Sequence, residues 1–139
     1  MKDRDVIVSQ GAPEPVGPYP HARRVGNLLF LSGVGPRTRG KETIPGVQLD
    51  AGGNVVSYDL EVQCRATFEN VRLILEEAGS RWENLVDVTV FLTNLARDFA
   101  TYNRIYSEYF RENQPARTTV EVGALPTPIA IELKCVATV

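Results

Sequence analysis

The run LVDVTVFLT at residues 85–93 constrains the fold most, because it lies between two stretches of helical periodicity. Alternation along the run predicts a strand with an apolar face (Val86, Val88, Val90 and Leu92) and a polar face (Asp87, Thr89 and Thr93). A strand between two amphipathic helices must pair with other strands, so the pattern favours a sheet covered by helices on one face.

The first helical stretch runs from Tyr58 to Ala78, with apolar residues at steps of three and four. Ser57 is the predicted N-cap, and Gly79 ends the helix. Ser80 and Glu83 form a capping-box pattern for a short turn that follows. The second helix is predicted over about 98–110, and aromatic residues supply its apolar stripe (Phe99, Tyr102, Tyr106, Tyr109 and Phe110).

Short β-like segments fill most of the remaining chain. They are predicted at 6–9, in a hairpin over 23–31 that turns at Gly26-Asn27, in a second hairpin around Gly52-Gly53, and at 118–123 and 129–139. In the last segment, alternate residues share one apolar face (Ile129, Ile131, Leu133, Cys135 and Ala137). The sequence therefore predicts one α+β domain over residues 1–139, with a sheet and two helices on one of its faces.

Composition narrows the classes of function. Fifteen Lys and Arg against seventeen Asp and Glu give a net charge of −2, which disfavours a nucleic-acid partner. No apolar run approaches the length of a bilayer span, and no signal peptide is visible, so we expect a cytoplasmic protein without a membrane partner. The single histidine, His21, and two distant cysteines, Cys64 and Cys135, favour no metal site. No cofactor motif is present, so we expect none.

Polar groups next to constrained backbone mark the candidate site. Tyr19 lies in the Pro/Gly-rich stretch PVGPYPHA, and Ser32-Gly33 end a predicted strand. Arg117 begins a strand after Pro115, and Glu132 is a carboxylate on the final strand. A guanidinium can bind a carboxylate in two parallel hydrogen bonds, and a carboxylate can act as the general base for a water. That pair suits hydrolysis of a small acid.

Several blocks of the chain resemble the RidA (YjgF/UK114) family. They are PVGPYPHA, GNLLFLSG, ENVRLILEEAGS, VDVTVFLTNL, DFATYN, PARTTVEV and IAIELKCVATV, and they extend from about residue 6 to residue 139. The resemblance implies a chorismate-mutase-like α+β fold assembled as a homotrimer, with active sites between neighbouring subunits. It also implies hydrolytic deamination of reactive enamines and imines derived from amino acids, without a cofactor.

The resemblance assigns roles to individual residues. Arg117 matches the arginine that binds the substrate carboxylate, and Glu132 matches the carboxylate that orients or activates the water. Three further polar residues (Tyr19, Ser32 and Asn103) match the pocket lining, and Gly33 matches the backbone that closes around the ligand. Many family members carry a cysteine two residues after the arginine, whereas this chain has Thr119. For His21 the alternatives are a local hydrogen-bonding residue or a base.

The lengthened stretch 37–54 and the run GALPTPIAIELK resemble the 2-aminomuconate deaminase subgroup of that family. The implied reaction converts 2-aminomuconate and water to 4-oxalocrotonate and ammonia. This substrate has two carboxylates, so a second cation is expected for the distal one. Arg37 is favoured because it follows the SGVGP turn that also places Ser32, with the other loop cations as alternatives (Arg23, Arg24, Arg39 and Lys41).

Two other functions remain open at this point. One is a general deaminase of 2-iminobutanoate or 2-iminopropanoate, for which a single arginine would suffice. The other is a non-catalytic regulatory trimer that binds small acids. A third possibility, RNA cleavage, is weakened by the acidic balance of the chain and by the lack of a histidine pair.

Overall fold

A mixed sheet with two helices packed on one face forms the main body of the computed structural model, which describes residues 5–139. The strands are β1 (Val6–Ile7), β2 (Ala22–Val25), β3 (Leu28–Leu31), β4 (Val47–Leu49), β5 (Val55–Tyr58), β6 (Leu85–Leu92), β7 (Ala116–Glu121) and β8 (Ile131–Thr138). The helices are α1 (Leu60–Glu77) and α2 (Leu95–Tyr109). The α+β class predicted from the sequence is confirmed.

Strand order sets where the polar side chains can meet. Within the described residues, the main sheet has the order β1-β2-β3-β8-β6-β7, and β4 pairs with β5 in a small separate sheet. Of the strand pairs in residues 5–139, only β6 and β7 run parallel, and α2 forms the crossover between them. Both predicted hairpins are confirmed, and Gly26 and Gly53 turn them with φ of 61° and 81°, which glycine adopts without strain.

The two faces of the main sheet differ in burial. The helix face is the side that carries α1 and α2, and there the alternate β8 residues Ile131, Leu133, Cys135 and Ala137 are fully buried. The open face is the opposite side, and Phe30 on it remains 38% exposed. The predicted apolar face of the last strand is therefore confirmed from Ile131 onward and packs against the helices, whereas Ile129 lies before the strand begins.

Two capping predictions are wrong, and one helix begins earlier than expected. Asp59, not Ser57, caps α1, because its carboxylate accepts a hydrogen bond from the Val62 amide while Ser57 belongs to β5. Asn94 caps α2 in the same way, so that this helix begins at Leu95, three residues earlier than expected. Ser80 does not cap the short 3₁₀ turn at Trp82–Asn84, since its hydroxyl donates to the Thr138 carbonyl instead.

Two apolar residues lie outside the core faces predicted for them. Val86 is 42% exposed, because the register of β6 against β8 shifts between Leu85 and Asp87 and turns its side chain out of the alternation. Phe99 is 41% exposed on α2, where Ile105 is buried instead. The strand predicted at 118–123 begins two residues earlier, which places Arg117 inside β7.

Candidate active site

Two loops form one half of the candidate site. The Pro-rich segment 9–20 and the segment 32–41 after β3 enclose a cleft that we call the loop cleft. Four residues predicted for the site line it (Tyr19, Ser32, Gly33 and Arg37), together with Pro13, Pro15 and His21. The Ser32 hydroxyl donates to the Pro20 carbonyl at 2.7 Å, which ties the end of β3 to the Pro-rich segment.

Gly33 brings Glu132 against the wall of this cleft. A Cβ at position 33 would lie 2.9 Å from both Cδ and Oε2 of Glu132, closer than a side-chain carbon can normally approach. The glycine is therefore required for the carboxylate to lie against the backbone of the loop. The resemblance predicts that the backbone at Gly33 closes around a ligand, and in the structure this glycine makes room for Glu132.

Glu132 has an altered proton affinity. Its side chain is partly buried on β8, and this burial raises the pKa of the carboxyl group above its usual value. The positive charge of Arg37 acts in the opposite direction and lowers the same pKa. A carboxylate with a raised pKa is a stronger base than an exposed glutamate, which suits activation of a water.

Arg39 and Asn70 hold the two loops of the cleft in place through hydrogen bonds to their backbone. Arg39 donates from Nη1 to the carbonyls of Ser9 and Ala12 and from Nη2 to the Glu14 carboxylate. Asn70 of α1 donates from Nδ2 to the carbonyls of Gly35 and Arg37, at 2.9 and 2.8 Å. Arg39 is thus engaged with the protein's own backbone.

Arg37 remains directed into the loop cleft, which it lines. Its Nη2 donates one hydrogen bond to the Glu14 carbonyl at 2.7 Å. Arg24, which lies on β2 rather than in a loop, donates to the Gly26 carbonyl. Of the five candidate cations, Arg37 is the one that lines this cleft among the described residues.

His21 is a structural residue in this chain. Its ring is buried, Nδ1 accepts a hydrogen bond from the Ser9 amide at 3.0 Å, and Nε2 lies 2.8 Å from the Pro13 carbonyl. These partners require the neutral tautomer with the proton on Nε2, which donates to the carbonyl. Both nitrogens are occupied, so the reading as a local hydrogen-bonding residue agrees with the geometry. Tyr19 likewise has a local partner, since its hydroxyl accepts from the Val16 amide.

Arg117 lies in a second cleft, bounded by α2 and β7. Its Nη1 donates to Oδ1 of Asn103 at 2.8 Å, and its guanidinium lies 4.7 Å from the Tyr106 ring centre and 5.3 Å from that of Tyr102. We call this the Arg117 cleft, and Ser107, Phe110, Arg111 and Gln114 also line it. Asn103, predicted to line the pocket, therefore orients the arginine.

The two tyrosines beneath Arg117 were interpreted from the sequence as helix-packing aromatics only. They are buried as expected, but each also presents its ring face to the guanidinium. The spacing of Tyr102, Asn103 and Tyr106 puts all three on the side of α2 that faces β7. The sequence contains this spacing, but only the parallel pairing of β6 with β7 shows which strand the helix covers.

Within one chain, Arg117 and Glu132 lie far apart. Arg117 pairs with Val88 of β6 and faces the helices, whereas Glu132 pairs with Phe91 and lies on the open face. The strand β6 separates them, so they lie about 10 Å apart across the sheet and about 10 Å apart along it. A small acid cannot contact both groups within one chain.

Among residues 5–139, no cluster of three or more His, Cys, Asp and Glu side chains could hold a metal ion. In the same range, no helix combines the length and the apolar character needed to cross a bilayer.

Comparison with known proteins identifies the family to which this chain is similar. A family model described as Endoribonuclease L-PSP matches residues 9–139. A RutC family protein of Pyrococcus abyssi is 40% identical over 137 residues, covering 96% of each chain. Reactive Intermediate Deaminase A of Arabidopsis thaliana, described as chloroplastic, is 38% identical over 135 residues, covering 97% of this chain and 66% of its own.

The fold agrees with a solved structure of the same group. The crystal structure of the YjgF gene product of E. coli matches with a TM-score of 0.81 and 33% identity, covering 96% of this chain and 97% of the other. Family model, relatives and fold therefore agree with the resemblance carried by the PARTTVEV and IAIELKCVATV blocks. The chain belongs to the RidA family, whose matching model is described as Endoribonuclease L-PSP.

Proposed function

We propose that this protein is a hydrolytic deaminase of enamine and imine acids, with each active site built from two copies of the chain. The observation that carries the proposal is Glu132, a partly buried carboxylate with a raised pKa, packed on Gly33 beside a cleft that contains an arginine. Membership of a family that includes a protein named as a reactive intermediate deaminase supports the class of reaction.

The reaction divides the work between two residues. An enamine first takes a proton at carbon and becomes an imine, whose carbon is electrophilic. Glu132 accepts a proton from water as the water oxygen bonds to that carbon. That proton then passes to the nitrogen of the tetrahedral adduct, and ammonia leaves as the hydroxyl group forms the C=O bond and releases its proton. The released proton balances the one that the enamine took up at carbon, and a 2-oxo acid remains. Arg117 holds the carboxylate next to the reacting carbon, which supplies orientation and offsets the negative charge.

A homotrimer would bring the two residues together. The open face of one chain offers Glu132 and the loop cleft, and the edge strand β7 of the next would offer Arg117. Apolar side chains exposed on the open face, such as Phe30, favour covering that face with a second copy. Light scattering tests the assembly, and a monomer at micromolar concentration would contradict it.

We propose 2-aminomuconate as the substrate, a finer assignment than the names of the relatives carry. Its two carboxylates need two cations, because leaving one unpaired in a desolvated site is costly. Arg117 would bind the carboxylate next to the reacting carbon, and Arg37 in the loop cleft would bind the distal one. We also propose a cytoplasmic location and action without cofactor or nucleic acid.

The decisive experiment compares two substrates in one assay. Ammonia release is measured from freshly generated 2-aminomuconate and from 2-iminobutanoate, each with the protein and with a buffer blank. We expect faster release than the blank with both and a higher kcat/KM for 2-aminomuconate.

Preference for 2-iminobutanoate would keep the deaminase and remove the aminomuconate assignment. Binding of 2-oxo acids without turnover of either substrate would favour the regulatory trimer instead. The Arg37→Gln variant sharpens the comparison, since it should raise KM for the dicarboxylate and leave KM for the monocarboxylate nearly unchanged.

A further inference from the structure

Two hydroxyl groups lie beneath Arg117 and contact each other. The Tyr102 hydroxyl of α2 and Oγ1 of Thr119 on β7 are 2.7 Å apart, within hydrogen-bond distance. Thr119 follows Arg117 by two residues on the same strand, so both side chains face the helices. Tyr102 is fully buried, so this hydroxyl pair is shielded from solvent on its helix side.

The Tyr102 ring also lies beside the Arg117 guanidinium. Arg117 lies 5.3 Å from the centre of the Tyr102 ring. Burial raises the pKa of the Tyr102 phenol, while its hydrogen bond with Thr119 and the nearby positive charge of Arg117 act against that rise. Thr119, Tyr102 and Arg117 therefore form a chain of direct neighbours.

An exposed arginine needs such a chain in order to bind in one geometry. Arg117 lies on the edge strand, and its long side chain has many rotamers unless other groups restrict them. Asn103 fixes one nitrogen, and the Tyr106 and Tyr102 rings support the guanidinium. Of the two rings, that of Tyr102 has its hydroxyl bonded to β7, the strand that carries Arg117, whereas the buried Tyr106 hydroxyl has no partner among the described residues.

We propose that Thr119 is a positioning residue: its hydroxyl fixes the Tyr102 ring, and the ring holds the Arg117 guanidinium in the orientation that binds a substrate carboxylate. The identity of the bound group rests on the proposed function, whereas the chain of contacts does not. Because the positioning role belongs to the hydroxyl group, we expect Thr119→Ser to retain it and Thr119→Val to lose it.

The test is a double-mutant cycle with Thr119→Val, Tyr102→Phe and the double variant, together with Thr119→Ser. Thr101→Val, at the neighbouring position of α2, makes the same chemical change outside the contact chain and serves as the control. Three quantities are measured: kcat and KM for the better substrate, the Kd of 2-oxobutanoate by calorimetry, and the NMR order parameter of the Arg117 Nε–H bond.

We expect Thr119→Val and Tyr102→Phe each to raise KM and Kd about threefold to tenfold, the range that follows from loss of one hydrogen bond. The rate constant kcat should change much less, because the arginine binds the carboxylate in both the ground state and the transition state. The double variant should be no worse than either single one, Thr119→Ser should restore wild-type values, and Thr101→Val should match wild type. The order parameter of Arg117 should fall in the valine and phenylalanine variants.

Wild-type KM, Kd and Arg117 order parameter in Thr119→Val would overturn the inference, and so would effects that simply add in the double variant. Failure of the proposed function looks different, since the wild-type protein itself would then neither release ammonia nor bind the acid. In that case the order parameter still decides whether Thr119 positions Arg117.

Discussion

Glu132 combines two properties that suit a general base: partial burial with a raised pKa, and a location against the backbone at Gly33. Glu132→Gln keeps the shape of the side chain and removes the base. We expect kcat to fall about 10²–10⁴-fold, the usual contribution of a positioned acid–base group. Calorimetry should show that 2-oxobutanoate still binds, because Arg117 remains. Loss of both turnover and binding would instead indicate that the glutamate mainly shapes the site.

The Arg117 guanidinium is held by a hydrogen bond to Asn103 on one side and by the Tyr106 ring on the other. Arg117→Lys retains the charge but not the planar fork, so we expect kcat/KM to fall on the order of 10²-fold while circular dichroism and Tm stay near wild type. Activity within threefold of wild type would remove this residue from carboxylate binding.

The sequence predicted Arg117 and Glu132 themselves. It could not predict the contacts of Arg117 with the tyrosine rings, because those contacts depend on which strand α2 covers.

The pH profile should report the electrostatics around Glu132. Water activation needs the carboxylate, so kcat should be lost as pH falls through the pKa of Glu132, which burial raises above its usual value. The positive charge of Arg37 lowers this pKa, so Arg37→Gln should move the acid limb to higher pH. A pH series of kcat for both proteins measures the shift, and an unchanged or lower midpoint in the variant contradicts it.

At the scale of structural elements, the loop after β3 leaves little room for a side chain at Gly33. In Gly33→Ala the new methyl group would overlap the Glu132 carboxyl group, the far end of a flexible side chain that can move away. We therefore expect the variant to fold with nearly unchanged Tm and to lose most of its kcat, because the displaced carboxylate no longer holds the water. Gly123→Ala is the matched control, since a Cβ at that position has no atom within 4 Å among the described residues.

Element prediction succeeded where a local rule decides the outcome. The hairpins at Gly26 and Gly53 follow from turn chemistry, and the core face of β8 follows from strict alternation. Caps failed because neighbouring polar residues compete: Ser57 and Asp59 both suit an N-cap, and the pairing of β5 with β4 retains Ser57 in the strand. The clamp of Arg39 on three acceptors also joins segments whose proximity only the fold reveals.

At the scale of the whole molecule, the separation of Arg117 and Glu132 gives a direct test of sites between subunits. Arg117→Lys and Glu132→Gln are each expected to be nearly inactive, but mixed trimers would contain some sites with both native residues. After exchange of subunits at equal concentration, about a quarter of the sites should be native, because each of the two contributing chains is suitable half of the time. The ammonia assay on the mixture measures this recovery, and no recovery despite exchange shown by mass spectrometry would contradict it.

Sheet order is the part of the whole-molecule structure that the chain pattern alone left open. The sequence predicted the strands and the helix-covered face, but it could not show that β8 enters between β3 and β6. That insertion places Glu132 beside Gly33 and leaves β7 with Arg117 at the edge. Long-range pairing of this kind depends on the complete set of strands rather than on any local signal.

The proposed site between two chains, one supplying Arg117 and the other Glu132, also predicts that activity depends on protein concentration. A site that two chains share exists only while they are associated, so its abundance obeys mass action in the protein itself. On dilution below the dissociation constant of the assembly, turnover per chain should decline although every chain remains folded. Conversely, a carboxylate ligand that contacts both chains should slow their separation.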